Sequence, residues 1–178
     1  MEIFKTSVGS WIYPEAGLLR IGGVPLFTGF MYASVGSYIA RSWRLFDFTF
    51  TRHPPMWCVI ALAVAIYVNF FLHHYFVDVR LALFAAAALI FGRTWINFRI
   101  HRHHRSMPLL LACGLTAVFI WVAENIGTLT RTWAYPNQLS GWALVSWGKL
   151  SSWALLLVIS YAMVAAVNGV EEEGGENE

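Results

Sequence analysis

Three residues of this 178-residue chain have side chains and positions that suit proton transfer. Glu124 follows an apolar run at 107–123, and His73 and His74 follow another such run. A carboxyl group can donate a proton and an imidazole can accept one near neutral pH, so these residues are candidates for a general acid and a general base. The alternative for Glu124 is an ion pair with Lys149, and for the histidines it is a polar anchor at a helix end.

Two charged residues lie inside apolar runs. Arg93 could bind a lipid headgroup or a substrate anion, or join a polar network between helices. Lys149 is the second substrate-binding candidate of this kind.

The segment 99–105 combines three arginines with three histidines. Histidine boxes of membrane di-iron enzymes need about eight nitrogen ligands on one face, and arginines would repel a metal cation. We therefore predict that the segment binds lipid phosphate, with no metal and no cofactor in the protein.

The composition predicts a membrane protein. Hydrophobic residues make up 58% of the chain and charged residues 12%, whereas soluble domains have roughly 25% charged residues. Five apolar runs are each about as long as a bilayer-spanning helix, roughly 17–25 residues. They lie at 21–40, 56–72, 81–98, 107–123 and 143–167. The predicted fold is an all-α transmembrane bundle of about five spans in a single domain, 1–168, followed by a disordered acidic tail, 169–178.

The distribution of basic residues predicts the orientation in a bacterial inner membrane. The loops at 41–55 and 99–106 hold six arginines, whereas the N-terminal segment and the loops at 73–80 and 124–142 hold four lysines and arginines. By the positive-inside rule the N-terminus is outside and the C-terminus is cytoplasmic. The net charge of +2 requires no nucleic-acid partner, and membrane lipid is the expected one. A homo-oligomer is compatible with the sequence.

A glutamate followed nine residues later by Trp-x-Tyr-Pro occurs twice, 122 residues apart, which indicates an internal repeat. Because an even number of predicted spans separates the copies, the repeat is of the parallel kind, and paired repeats commonly form a site at their interface. The aromatic residues of both copies are therefore substrate-binding candidates. They are Trp11, Tyr13, Trp133 and Tyr135.

Four segments resemble a bacterial integral membrane family, the one catalogued as domain of unknown function 817. They are Lys5–Glu15, Arg20–Phe27, Phe91–Trp95 and Ala123–Thr128. The resemblance extends to about Asn168 and implies further spans before Met1. The repeated glutamate motif, together with Gly-x-Pro, is also similar to carotenoid-biosynthesis membrane proteins, which implies an isoprenoid substrate.

These observations favour an integral membrane protein that acts on a lipid or isoprenoid by acid/base chemistry at a polar site near the outer face. Glu124 would be the proton donor, with His73 or His74 as the base. The alternative is a non-enzymatic transporter or structural subunit.

Overall fold

A computed structural model describes residues 1–15 and 17–172 of the chain. The helices in these residues are α1 Glu2–Ser7, α2 Phe27–Leu45, α3 Met56–Leu72, α4 Arg80–Phe91, α5 Leu109–Leu129 and α6 Trp147–Asn168, with a 3₁₀ turn at Pro136–Gln138. The strands are β1 Arg20–Ile21, β2 Val24–Pro25, β3 Thr49–Thr51, β4 Trp95–Ile100 and β5 His103–Pro108. The chain divides into two compact units. Unit 1 is Met1–Ser34 and Ala117–Trp153, and unit 2 is Val35–Thr116 and Ala154–Glu178.

The predicted all-α bundle of about five spans is wrong. The runs at 81–98 and 107–123 include parts of β4 and β5, which pair with each other antiparallel, and the run at 21–40 begins in the β1–β2 hairpin. In the described part of the chain two helices, α5 and α6, are long and apolar enough to cross a membrane. The helices α3 and α4 are apolar but shorter.

The error has a physical reason. A hydropathy window measures composition and does not register periodicity, whereas β4 alternates apolar Ile96, Phe98 and Ile100 with polar Asn97 and Arg99. A period of two residues is typical of a strand with one face against a core. Asn97 accordingly lies on β4, where its side-chain amide donates a hydrogen bond to Thr51 Oγ1.

Unit 2 contains a three-stranded antiparallel sheet in the order β3–β4–β5. Its centre is Phe50, which is fully buried and pairs with Ile96 on β4. The ring of Phe50 lies 4.9 Å from that of Trp43 and 5.9 Å from that of Tyr161. These large aromatic side chains join the sheet to α2 and α6 within the unit.

The segment 169–178, predicted as a disordered tail, lies in part outside the described residues, which end at 172. Within the described part, the carbonyl oxygen of Glu171 accepts a hydrogen bond from the backbone N–H of Phe50 at 2.9 Å. Residues 171 and 172 therefore lie against β3.

We predict that His53 makes the stability of the protein depend on pH. Its Nε2 lies 2.7 Å from the hydroxyl oxygen of Tyr161, with the Phe50 ring at its side. Burial lowers the pKa of His53, although the backbone of Pro54 and the charge of Glu172 act in the opposite direction. Because the unfolded chain then binds more protons, the stabilisation is complete above about pH 6.5 and is lost as the pH falls below that value.

Thermal unfolding in detergent between pH 7.5 and 5.5 measures this dependence. The melting temperature of the wild type should fall with pH more steeply than that of His53→Gln. The control His103→Gln removes an exposed imidazole of β5 and should keep the wild-type slope. Equal slopes for wild type and His53→Gln would contradict the prediction.

Candidate functional site

Glu2, the first glutamate of the repeated motif, accepts three hydrogen bonds in unit 1. Its Oε2 is 3.0 Å from Trp11 Nε1 and 2.6 Å from the hydroxyl of Tyr13, and its Oε1 is 2.6 Å from the hydroxyl of Tyr32. Tyr32 is on α2, whereas Glu2 begins α1. The carboxylate therefore joins the motif loop to two helices.

Glu124, the second glutamate, is more deeply buried, with 4% of its surface exposed. Its Oε1 accepts a hydrogen bond from the hydroxyl of Tyr135, and its Oε2 accepts one from Trp153 Nε1 at 2.7 Å. In both copies the tyrosine donates to the glutamate eleven residues before it. The repeated spacing thus corresponds to a repeated contact.

The two motif loops also pair with each other. The backbone N–H of Ile12 donates to the carbonyl of Ala134, and that of Ala134 donates to the carbonyl of Ile12, both at 2.9 Å. These two residues occupy the same position in the two copies, since 134 − 12 equals the repeat offset of 122. A reciprocal pair between equivalent residues is what a local two-fold axis produces.

The two copies differ in charge at the position fourteen residues after the tyrosine, among others. In the first copy this residue is Phe27, whose ring meets that of Tyr13 edge-on at 6.1 Å. In the second copy it is Lys149, whose Nζ lies 4.2 Å from the ring centre of Tyr135 and 4.9 Å from that of Trp11. The second glutamate therefore has a cation stacked on its tyrosine donor.

The tyrosines of both copies are neutral donors. Burial raises the pKa of Tyr135 well above its ordinary value, and the charge of Glu124 raises it further. Burial and the hydrogen bond to Glu2 likewise raise the pKa of Tyr13. Each phenol therefore stays protonated at neutral pH and donates a hydrogen bond to the carboxyl group that it contacts.

Two residues that donate to the glutamates, and one buried lysine of α1, have no counterpart in the sequence predictions. Tyr32 and Trp153 are 121 residues apart, one less than the repeat offset, so the alignment that pairs Glu2 with Glu124 does not pair them. Lys5 is 2% exposed, one turn after Glu2, although a lysine this close to the N-terminus suggests a solvated one. A helical spacing of three from Glu2 is the one signal that could have indicated Lys5.

The predicted residues His73, His74 and Arg93 belong to unit 2. The two imidazole rings lie 4.2 Å apart at the end of α3, and His73 Nδ1 is 3.1 Å from the carbonyl oxygen of Asn69. Arg93 is exposed in the turn between α4 and β4. Their roles as base and anion ligand stay predictions. Among residues 1–15 and 17–172 no three His, Cys, Asp or Glu side chains come together as a metal site would require.

Comparison with known proteins gives a family and one relative. A family model described as protein of unknown function (DUF817) matches residues 1–161. The uncharacterized protein YoaT of Bacillus subtilis (strain 168) is 44% identical over 173 residues, which are 97% of this chain and 66% of that protein. The chain therefore spans just under two thirds of this relative's length. No solved structure matches the chain.

We predict that Gly127 is required for the second motif loop to pack on α5. A Cβ atom at this position would lie 2.3 Å from the Trp133 ring, so Gly127→Ala must displace the indole. Overpacking of this kind costs about 1–3 kcal/mol, which a lower melting temperature would show.

The control is Gly114→Ala on the same helix. A Cβ atom there has no neighbour within 4 Å, so helix propensity makes this substitution neutral or stabilising by up to about 1 kcal/mol. Equal melting temperatures for the two variants would show that Trp133 is not held against Gly127.

Proposed function

The chain belongs to the DUF817 family of proteins of unknown function, and we propose that it performs acid/base chemistry on a lipid-soluble substrate, a lipid or an isoprenoid, in the bacterial inner membrane. Glu124 is the proton donor, and Tyr135 is its hydrogen-bonded partner. The observation that carries the proposal is a deeply buried carboxyl group held by two neutral donors, one of which, Tyr135, has the Lys149 cation over its ring. Ionisable groups in such surroundings are candidates for function because their burial is costly.

The neighbours of Glu124 suit an apolar substrate better than a polar one. The aromatic rings of Trp11 and Tyr135 meet edge-on at 6.5 Å, and Lys149 lies over both. Trp133 and Tyr13 complete the set of aromatic side chains contributed by the motif loops. An isoprenoid or acyl chain could contact these rings, while Glu124 donates a proton to it and Tyr135 orients the carboxyl group through its hydrogen bond.

The membrane location is supported by α5 and α6, the two helices that are long and apolar enough to cross a bilayer. Most of the apolar stretch of α5 is not buried inside the protein, which is unlike the core helix of a soluble domain. Phe119 on this helix has 78% of its surface exposed. Lipid would cover such side chains.

One observation favours a non-enzymatic role, as a structural subunit or transporter. Each glutamate connects two helices: Glu2 of α1 contacts Tyr32 of α2, and Glu124 of α5 contacts Trp153 of α6. A buried acid can be explained by its structural role alone, when its hydrogen bonds hold two helices together. The two roles make different predictions for the amide variants.

We predict that Glu124→Gln abolishes a change in lipid composition that the wild-type protein causes. The amide keeps the size of the side chain and one acceptor oxygen, but it cannot act as an acid. Loss of a general acid lowers a rate about 10²–10⁴-fold. Mass spectrometry of total lipid extracts, from cells with no copy, the wild-type gene or the variant gene, measures the effect.

The matched control is Glu2→Gln, the same substitution in the other copy. It should keep the lipid change, because the proposal assigns proton donation to Glu124 of the second copy and gives Glu2 no part in it. Lipid profiles that are identical with and without the wild-type protein would overturn the proposal. Equal losses of thermal stability in both variants, with no lipid change in any strain, would favour the structural role.

A further inference from the structure

The hairpin of β4 and β5 carries a basic surface that the glutamate site does not use. We name its end, residues 99–105, the basic tip. Its six basic residues are Arg99, His101, Arg102, His103, His104 and Arg105, and all six are exposed. The tip belongs to unit 2 and has one apolar residue, Ile100, which is 50% exposed.

The basic charges of the tip are mostly uncompensated within the described residues. Arg99 forms an ion pair with Asp47, which lies just before β3. No ion pair of Arg102 or Arg105 is found in residues 1–15 and 17–172. Arg102 ends the two-residue turn and Arg105 lies on β5. Their exposed guanidinium groups are therefore free to bind an anion.

The turn itself keeps a histidine in a conformation that suits glycine. His101 has a φ of 56°, in the left-handed region where a side chain crowds the backbone. Glycine would relieve this strain at the tip of a hairpin. A histidine at this turn position keeps a polar side chain on the basic surface where glycine would leave none.

The chain places the basic tip next to a helix that is long enough to cross a bilayer. β5 ends at Pro108 and α5 begins at Leu109. The 21 residues of α5 extend about 31 Å at roughly 1.5 Å per residue, close to the thickness of a hydrocarbon core. The six residues of β5 extend about 20 Å at roughly 3.3 Å each, so the tip lies no further than about 20 Å along the strand from the first turn of α5.

We infer that the basic tip binds the phosphate headgroups of anionic phospholipids in the bilayer that α5 enters. Guanidinium groups donate paired hydrogen bonds to phosphate oxygens, and basic residues beside a spanning helix are attracted to an anionic leaflet. Ile100 can insert among the upper parts of the acyl chains while the arginines stay at the headgroups. The residues of the basic tip all belong to unit 2, and the inference does not depend on the function of Glu124.

The test is binding of phosphatidylglycerol and of phosphatidylcholine to the full chain in a neutral detergent, measured by native mass spectrometry. The double variant Arg102→Gln/Arg105→Gln should bind phosphatidylglycerol about thirty-fold more weakly than the wild type, which is about 2 kcal/mol at about 1.4 kcal/mol per tenfold change. Binding of phosphatidylcholine should not change.

The matched control is Arg41→Gln/Arg44→Gln, which removes two arginines from α2 in the same unit. It should lose less than threefold in phosphatidylglycerol affinity. Equal losses in the two double variants, or a wild type that does not prefer phosphatidylglycerol, would overturn the inference. Thermal unfolding of both variants should match the wild type, because the substituted side chains are on the surface.

Two competitors and a salt titration complete the test. Inorganic phosphate at millimolar concentration should not displace phosphatidylglycerol, and a short duplex DNA should bind more weakly than the lipid. Displacement by phosphate, or tighter binding of DNA, would assign the tip to another anion and overturn the inference. Added salt should weaken lipid binding more in the wild type than in Arg102→Gln/Arg105→Gln, because the wild type has two more charges for the salt to screen.

Discussion

The requirement to supply donors to a buried carboxyl group determines the organisation of unit 1. An isolated carboxylate is too costly to bury, so Glu124 can be 4% exposed only because Tyr135 and Trp153 donate to it. Tyr135 comes from the motif loop and Trp153 from α6. Through this one side chain a loop and two helices of the unit are fixed together, and the reciprocal backbone bonds of Ile12 and Ala134 then join the second loop to the first.

In both copies an indole N–H donates to the glutamate, but the tryptophans that do so are not equivalent in the repeat. In the first, Trp11 donates to Glu2 of its own copy. In the second, Trp133 packs against Gly127, and the indole that donates to Glu124 is Trp153 instead. Each copy also has its lysine at a different position of the repeat. The second copy has Lys149 where the first has Phe27, and the first has Lys5 where the second has Gly127. Similar hydrogen bonds with different charges give the two glutamates different electrostatic surroundings, which is why their amide variants are expected to differ.

The sequence pattern is matched by the structure at one contact of the site. The spacing of Glu124 and Tyr135 matched that of Glu2 and Tyr13, and a contact repeats with that spacing. Tyr32 and Trp153 could not be predicted, because their partners are distant in the chain and their own spacing differs from the repeat by one residue. The five-span prediction was wrong where apolar residues alternate with polar ones, as in β4, since the same composition suits a strand and a membrane helix.

The apolar composition is accounted for more by exposed surface than by the core. On α5 the side chains of Phe119, Ile126 and Leu129 have between 57% and 78% of their surface exposed. Burial of apolar surface stabilises by roughly 25 cal/mol per Å², so a contiguous exposed apolar face is unfavourable in water and favours association. The same face is stable in contact with acyl chains. Glu124 on the same helix already receives its hydrogen bonds inside the protein, from Tyr135 and Trp153, so it needs none from whatever surrounds α5.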